Sequence, residues 1–226
     1  MFSVITLYCF NNLYFAVEYY KSSILLHNLG SYKGDVMKMI PTLTLSSLLA
    51  FSSLFGADYT VDKSHTSLDF KVRHMMVSNT KGTFKDFSGT FSYDPKTHQL
   101  TALDGTAKIA SIDTDDGERD KHLKSPDFFD AKKYPTMKMK FVKQQGDKVT
   151  VALTMKDVTK NIVLEMDDAS GAVKDPWGNT RSGFALEGKI NRQDFNIKFS
   201  KLMEAGGVMV SDEVKLQLEI EGIQVK

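Results

Sequence analysis

The sequence predicts an all-β fold: one antiparallel domain of about eight strands, interrupted once by a short helix. Three observations carry this. Apolar and polar residues alternate with period two over most of the chain after residue 57, as in Val149, Val151, Leu153 and Met155 against Thr150, Ala152 and Thr154. Turn chemistry separates the alternating runs, at Asp94-Pro95, Gln145-Gly146-Asp147, Asp175-Pro176 and Gly206-Gly207. A single segment, Ser111 to Pro135, breaks the alternation. Periodicity admits either a closed barrel or a two-sheet sandwich, with a slight preference for the barrel, because closure removes sheet edges.

Taken in order, strands are expected at about 58–63, 68–72, 83–93 and 100–112. In the interrupting segment Asp115 is placed to cap a helix, with Glu118 three residues on completing a capping box. Ser125-Pro126 then stops it after about two turns. Arg119, His122 and Leu123 share one face of that helix at i, i+3 and i+4. Further strands follow at about 137–141, 149–155, 161–167, 180–190, 195–202 and 214–220.

The N-terminus reads differently. Residues 37–57 run from Met37-Lys38 through an apolar stretch to small residues at Gly56-Ala57, the pattern of a secretory signal peptide. The apolar run is too short for a comfortable membrane span, although a retained anchor stays an alternative. Residues 1–36 lie upstream of this complete signal. Lys33-Gly34-Asp35 is what a purine-rich ribosome-binding sequence encodes when read through, so translation is expected to start at Met37. A second hydrophobic targeting segment is the alternative. The expected destination is the periplasm or the medium, with 58–226 as the mature domain.

Processing would discard Cys9, the only cysteine, and with it any internal disulfide. About 170 residues bury enough apolar surface to do without one. Setting aside Lys21, Lys33 and Lys38, and Glu18 and Asp35, leaves 26 basic against 26 acidic residues from Ala57 onward. That balance carries no nucleic-acid footprint.

The alternating strands point an inward set rich in Phe and Met, including Phe84, Phe87, Phe91, Met137, Met139, Met155, Met166 and Phe184. Such side chains suit an elongated apolar lumen and equally an ordinary packed core. His65, His74, His98 and His122 lack paired metal-ligand spacing, so no metal is expected. Ser64-His65 and Ser111 near Asp113 suggest acyl transfer only weakly, since no Gly-x-Ser-x-Gly elbow is present.

Several segments, in order, give the sequence a family likeness: Tyr59-Thr-Val-Asp62-Lys-Ser64-His65-Thr66, Val72-Arg73-His74-Met75, Asp175-Pro-Trp177-Gly178, Ile190-Asn191-Arg192-Gln-Asp194-Phe195 and Val210-Ser211-Asp212. With the Arg119–Pro135 stretch, they resemble the YceI family of lipocalin-like barrels that bind polyisoprenoids or other long amphiphiles. Asp157 and Asn196 stand where that family usually has Gly, which puts two turns in doubt. The resemblance implies a closed lipocalin-like β-barrel acting as a non-catalytic carrier, with no cofactor beyond a bound long-chain amphiphile: a polyisoprenoid, an isoprenoid quinone or a fatty-acid derivative. A lipid-acting esterase or amidase and a quinone-linked electron-transfer partner are the alternatives. Transient membrane contact and a homodimer are compatible with either.

On this reading Arg119, Asp120, His122, Asn191, Arg192 and Asp212 hold the headgroup, the alternative being structural ion pairs and loop clamps. The tail is expected along Phe70, Phe84, Phe91, Phe128, Phe129, Met137, Met139, Phe141, Met155, Trp177, Phe184 and Phe195.

Overall fold

Alternation gives every strand one apolar face, and the sheet closes around those faces. The computed structural model describes residues 56–202 and 208–226, so the expectations for 1–36 and for nearly all of 37–57 lie outside the described residues. Twelve strand segments follow in order: β1 (Ala57–Val61), β2 (Ser67–His74), β3 (Ser78–Phe84), β4 (Phe87–Asp94), β5 (Gln99–Lys108), β6 (Ile112–Asp113), β7 (Thr136–Gln145), β8 (Lys148–Met155), β9 (Val158–Asp167), β10 (Val173–Lys174), β11 (Thr180–Asn191) and β12 (Val210–Gln224). The helix α1 (Gly117–Leu123) lies between β6 and β7.

These segments form eight staves. β1 and β2 are one bent stave, paired antiparallel with a second made of β3 and β4. β5 and β6 make the third, broken by a 3-10 turn at Ile109–Ser111. β7, β8, β9, β11 and β12 complete the ring, and β12 closes it by pairing with both β11 and the first stave. The expected barrel is therefore present.

The seam between β9 and β11 holds by only three register pairs, Asp167–Ala185, Met166–Leu186 and Glu165–Glu187. Beyond them the strands part. The gap is filled by a 3-10 turn, Arg192–Phe195, whose Phe195 packs with Leu153, Met155 and Ile190. This corrects the strand expected at 195–202. Asn196 takes a left-handed φ of 59° that ends the turn, and only a Leu202–Val208 bridge follows before β12. The strand read over 83–93 is likewise broken between β3 and β4 at Lys85-Asp86. β3 begins at Ser78, in a stretch (Ser-Asn-Thr-Lys-Gly) with no apolar residue to signal it.

One end of the barrel is solid. Tyr59 and Phe91 stack with ring centroids 5.0 Å apart, and Phe184 meets Phe91 edge-on at 5.2 Å. Tyr93, Leu100, Val149, Val151, Leu164 and Leu186 complete this core, all essentially inaccessible to solvent. Burial pushes the Tyr93 hydroxyl up to about 12, and it donates to the Ser170 carbonyl at 3.2 Å. Gly222 in β12 is what lets the stack close: a Cβ there would lie 2.6 Å from the Phe91 ring.

Candidate functional site

The other half of the barrel is hollow. Its cavity rests on Val61, Leu103, Leu218 and Ile220 and rises between Phe70, Phe84, Phe87, Met137, Met139, Leu153, Met155 and Leu216. The empty volume, counted to the open mouth, is about 1290 Å³, and the surface facing it is almost wholly apolar. Polar residues such as Thr106, Lys138 and Asp69 contribute to the wall without turning polar atoms into the space. A cavity of this kind accepts a chain of methylene or isoprene units and rejects a charge.

Three segments frame the mouth: α1, the turn region 125–131 and the chain from Arg192 to Phe199. α1 starts at Asp116, whose side chain accepts from the Arg119 N–H at 3.0 Å. The cap is thus one residue later than expected. Asp115 is held at φ 60°, and no capping box forms, because the residue three beyond the true cap is Arg119. Leu123 from the helix lines the cavity, as do Phe128 and Phe129. His122 stands between the edges of the Phe128 and Phe199 rings, at 5.1 Å from each, and its Nε2 lies 3.0 Å from an Asp127 carboxylate oxygen. Lys156, in the β8–β9 turn, donates to the Phe128 carbonyl at 2.6 Å. These contacts bring the helix and the 192–199 chain together, as the resemblance implied.

The proposed headgroup residues divide into clamps and mouth residues. Arg119 donates through Nε to the Thr114 hydroxyl at 2.8 Å and through Nη2 to the Thr114 carbonyl. Asp120 accepts from both the Thr114 N–H and its hydroxyl. Neither lines the cavity; together they lock the segment leading into α1. Asn191 caps the 3-10 turn by accepting from the Gln193 N–H at 2.9 Å. Arg192 does line the cavity and is only 4% exposed, but its donors are spent on the carbonyls of Ile197, Ser211 and Val210 and on Asp212 at 2.8 Å. Burial pulls its pKa down, and the Asp212 carboxylate opposes that shift. His122 is the member of the set with an exposed polar atom at the mouth.

The tail residues divide in the same way. Phe70, Phe84, Phe128, Phe129, Met137, Met139 and Met155 line the cavity. Phe91 and Phe184 belong instead to the solid end, and Phe141 packs against that end from its periphery. Phe195, 1% exposed, plugs the β9–β11 gap rather than lining the space. Trp177 is 80% exposed in the turn before β11, where its own N–H bonds Asp175. Period two identifies which face is inward but not the depth along the barrel, so these five residues were misplaced along its axis or off it. The same pattern in β2 and β12 signals lining residues missing from the expected set: Leu68, Val72, Val214, Leu216 and Leu218.

A model of the YceI-like domain matches residues 59–222. The chain belongs to the YceI family. The protein YceI of Escherichia coli O157:H7 is 41% identical over 196 residues, covering 84% of this chain and 99% of that one. UPF0312 protein plu2095 of Photorhabdus laumondii is 41% identical over 185 residues, covering 79% and 93%. Among solved structures, the Campylobacter jejuni YceI protein matches with a TM-score of 0.59 at 38% identity, covering 68% of this chain and 90% of its own. A polyisoprenoid-binding domain from Saccharophagus degradans shares the fold at 14% identity, with a TM-score of 0.54 over 74% and 98%.

The two departures from the usual YceI pattern both fall on left-handed backbone. Asp157 has φ 59° next to Lys156 at φ 48°, and Asn196 has φ 59°. The family's glycines therefore answer a conformational demand that this chain meets with Asp and Asn, the side chains best suited to it.

On the outer surface of the solid end the fold assembles a cluster that spacing along the chain does not reveal. Arg181 donates to Asp62 at 2.6 Å, Asp175 at 2.8 Å and Glu221 at 2.7 Å, tying the β1–β2 bend to β11 and β12. Ser64 and His65 also converge on Asp62, at 2.6 and 3.0 Å. Asp62, His65 and Glu221 have the atom types of a metal site, but the guanidinium already occupies the space between the two carboxylates. Ser111, the other hydroxyl considered for acyl transfer, donates to the Lys108 carbonyl at 2.7 Å.

Proposed function

We propose that this YceI-family protein is a non-catalytic carrier that holds the tail of a long-chain amphiphile in the hollow half of its barrel. The observation that carries the reading is the cavity: open at one end, floored by a packed core, and apolar over nearly all of its surface. An enclosed apolar wall offers a ligand burial but no general acid, base or nucleophile. The description of the Saccharophagus degradans domain as polyisoprenoid-binding agrees with this reading, and so does the breadth of a lumen able to take branched isoprene units. A polyisoprenoid, an isoprenoid quinone and a fatty-acyl derivative share the chemistry the cavity selects. The polar end of the ligand sits at the mouth, near His122. The signal-like sequence at 37–57 places the carrier outside the cytoplasm, where a water-insoluble tail needs a protein to cross an aqueous space.

Mild solvent extraction of the purified protein, followed by mass spectrometry, tests this reading. The expected result is a stoichiometric amphiphile with a long apolar tail, and a quinone would show itself by its redox-sensitive absorbance. Protein that yields none, and that takes none up from a mixed lipid extract, would refute it.

A further inference from the structure

The hollow end of the barrel also carries a surface whose chemistry neither packing nor the cavity explains. The hairpin joining β2 to β3 turns at His74–Val77, closed by the Val77 N–H donating to the His74 carbonyl at 3.0 Å. Its two central residues, Met75 and Met76, both have positive φ, 48° and 59°. A turn of this type favours Asn-Gly, and placing two long apolar side chains there costs conformational energy. The side chains do not recover that cost by burial: Met76 is 59% exposed and Val77 79%. Leu202, 76% exposed, lies beside them, because the Met75 N–H bonds the Met209 carbonyl and the Met209 N–H bonds that of Lys201. The apolar tip continues the cavity wall, since Val72 and Val210, at its base, both line the cavity.

The wall behind the tip is cationic in an unusual way. Strand register places Lys81 opposite Lys71, Lys71 opposite Lys215, and Lys215 opposite Lys189, a row of four lysines across four adjacent strands. Like charges directly opposite one another destabilise a sheet. Lys189 is relieved by Glu213 at 3.1 Å; the other three form no ion pair among the described residues. Arg73, between the row and the tip, donates to the Met76 carbonyl at 2.9 Å.

We infer that this end of the barrel docks on an anionic lipid bilayer, with Met75, Met76, Val77 and Leu202 entering the interface and the lysine row facing the charged headgroups. An apolar tip backed by lysines matches a surface that is negative outside and hydrocarbon within. Docking there sets the cavity mouth against the source of its ligand. The inference takes its purpose from the carrier reading, but its test does not depend on what the cavity holds.

The test is co-sedimentation of the protein with phosphatidylcholine vesicles, and with the same vesicles containing phosphatidylglycerol. Binding is expected only to the anionic vesicles and is expected to weaken as salt rises. The double variant Met75→Asn, Met76→Gly gives the turn its favoured residues, so it should melt at a higher temperature than the parent yet bind at least about tenfold more weakly. Lys71→Gln with Lys215→Gln should also weaken binding at least about tenfold, each lysine being worth roughly a factor of five at an anionic surface. Unchanged binding by both variants would overturn the inference. So would a parent that ignores anionic vesicles, or a self-associated parent that the turn variant converts to monomer, which would assign the face to a second copy. Ligand content measured by extraction in the same variants separates failure of docking from failure of the carrier reading.

Discussion

The Arg192 guanidinium gives its donors to three carbonyls and one carboxylate across a break in the sheet where backbone pairing is missing. Removing it leaves those acceptors buried or half-buried without partners. Arg192→Ala should cost about 3 kcal/mol in urea unfolding. Arg192→Lys should recover little of this, because one ammonium cannot span acceptors from three directions. Arg181 works at the opposite end and has a pH signature. Burial would raise the Asp175 pKa, but hydrogen bonds from Arg181 and Asn179 overcome it and hold the carboxyl at about 2. Asp62 is held lower still, by Ser64, Arg181 and His65. Carboxyls depressed in the folded state stabilise it above their unfolded pKa of about 3.9, and that contribution is lost as pH falls toward 2. The stability gap between the parent and Arg181→Ala should therefore narrow from pH 5 to pH 2 when followed by circular dichroism. A constant gap would show that Arg181 acts through packing alone.

At the scale of elements, alternation and turn chemistry made most of the barrel legible. Nearly every strand rich in Val, Leu, Phe or Met lies where its period placed it. The failures have physical causes. Ser78–Gly82 has no apolar residues to alternate and is a strand because β2 pairs with it. Residues 195–202 carry apolar side chains, but Asn196 and the Arg192 clamp turn them into a plug for the β9–β11 gap. The mouth was legible as a place: α1 and the 192 segment do meet there. It was not legible as a list of donors, because whether an arginine faces a ligand or a carbonyl depends on contacts far apart in sequence. The β8–β9 turn offers a check on the turn reading. Asp157 occupies a left-handed position usually given to Gly, so Asp157→Gly should raise stability by up to about 1 kcal/mol without altering ligand content. Thermal melts beside extraction assays would measure both.

For the whole molecule, the barrel is divided along its length: aromatic packing closes one end, and an apolar hollow opens at the other. That division is the account's central claim, and it makes the tail rather than the headgroup the source of affinity. Each methylene buried is worth roughly 0.8 kcal/mol, so a dozen outweigh the roughly 1.5–3 kcal/mol of one charged hydrogen bond. Depth should set the limit. Met139 lines the cavity opposite Leu153 in β8, and enlarging it shortens the space above the floor. The most direct measurement is a competition series with one headgroup and tails of increasing length, run on the parent and on Met139→Trp. Affinity should rise about fourfold per methylene to a plateau, and the plateau should arrive at a shorter tail in Met139→Trp. Affinity indifferent to tail length, or a plateau unmoved by the substitution, would contradict a ligand held in the barrel.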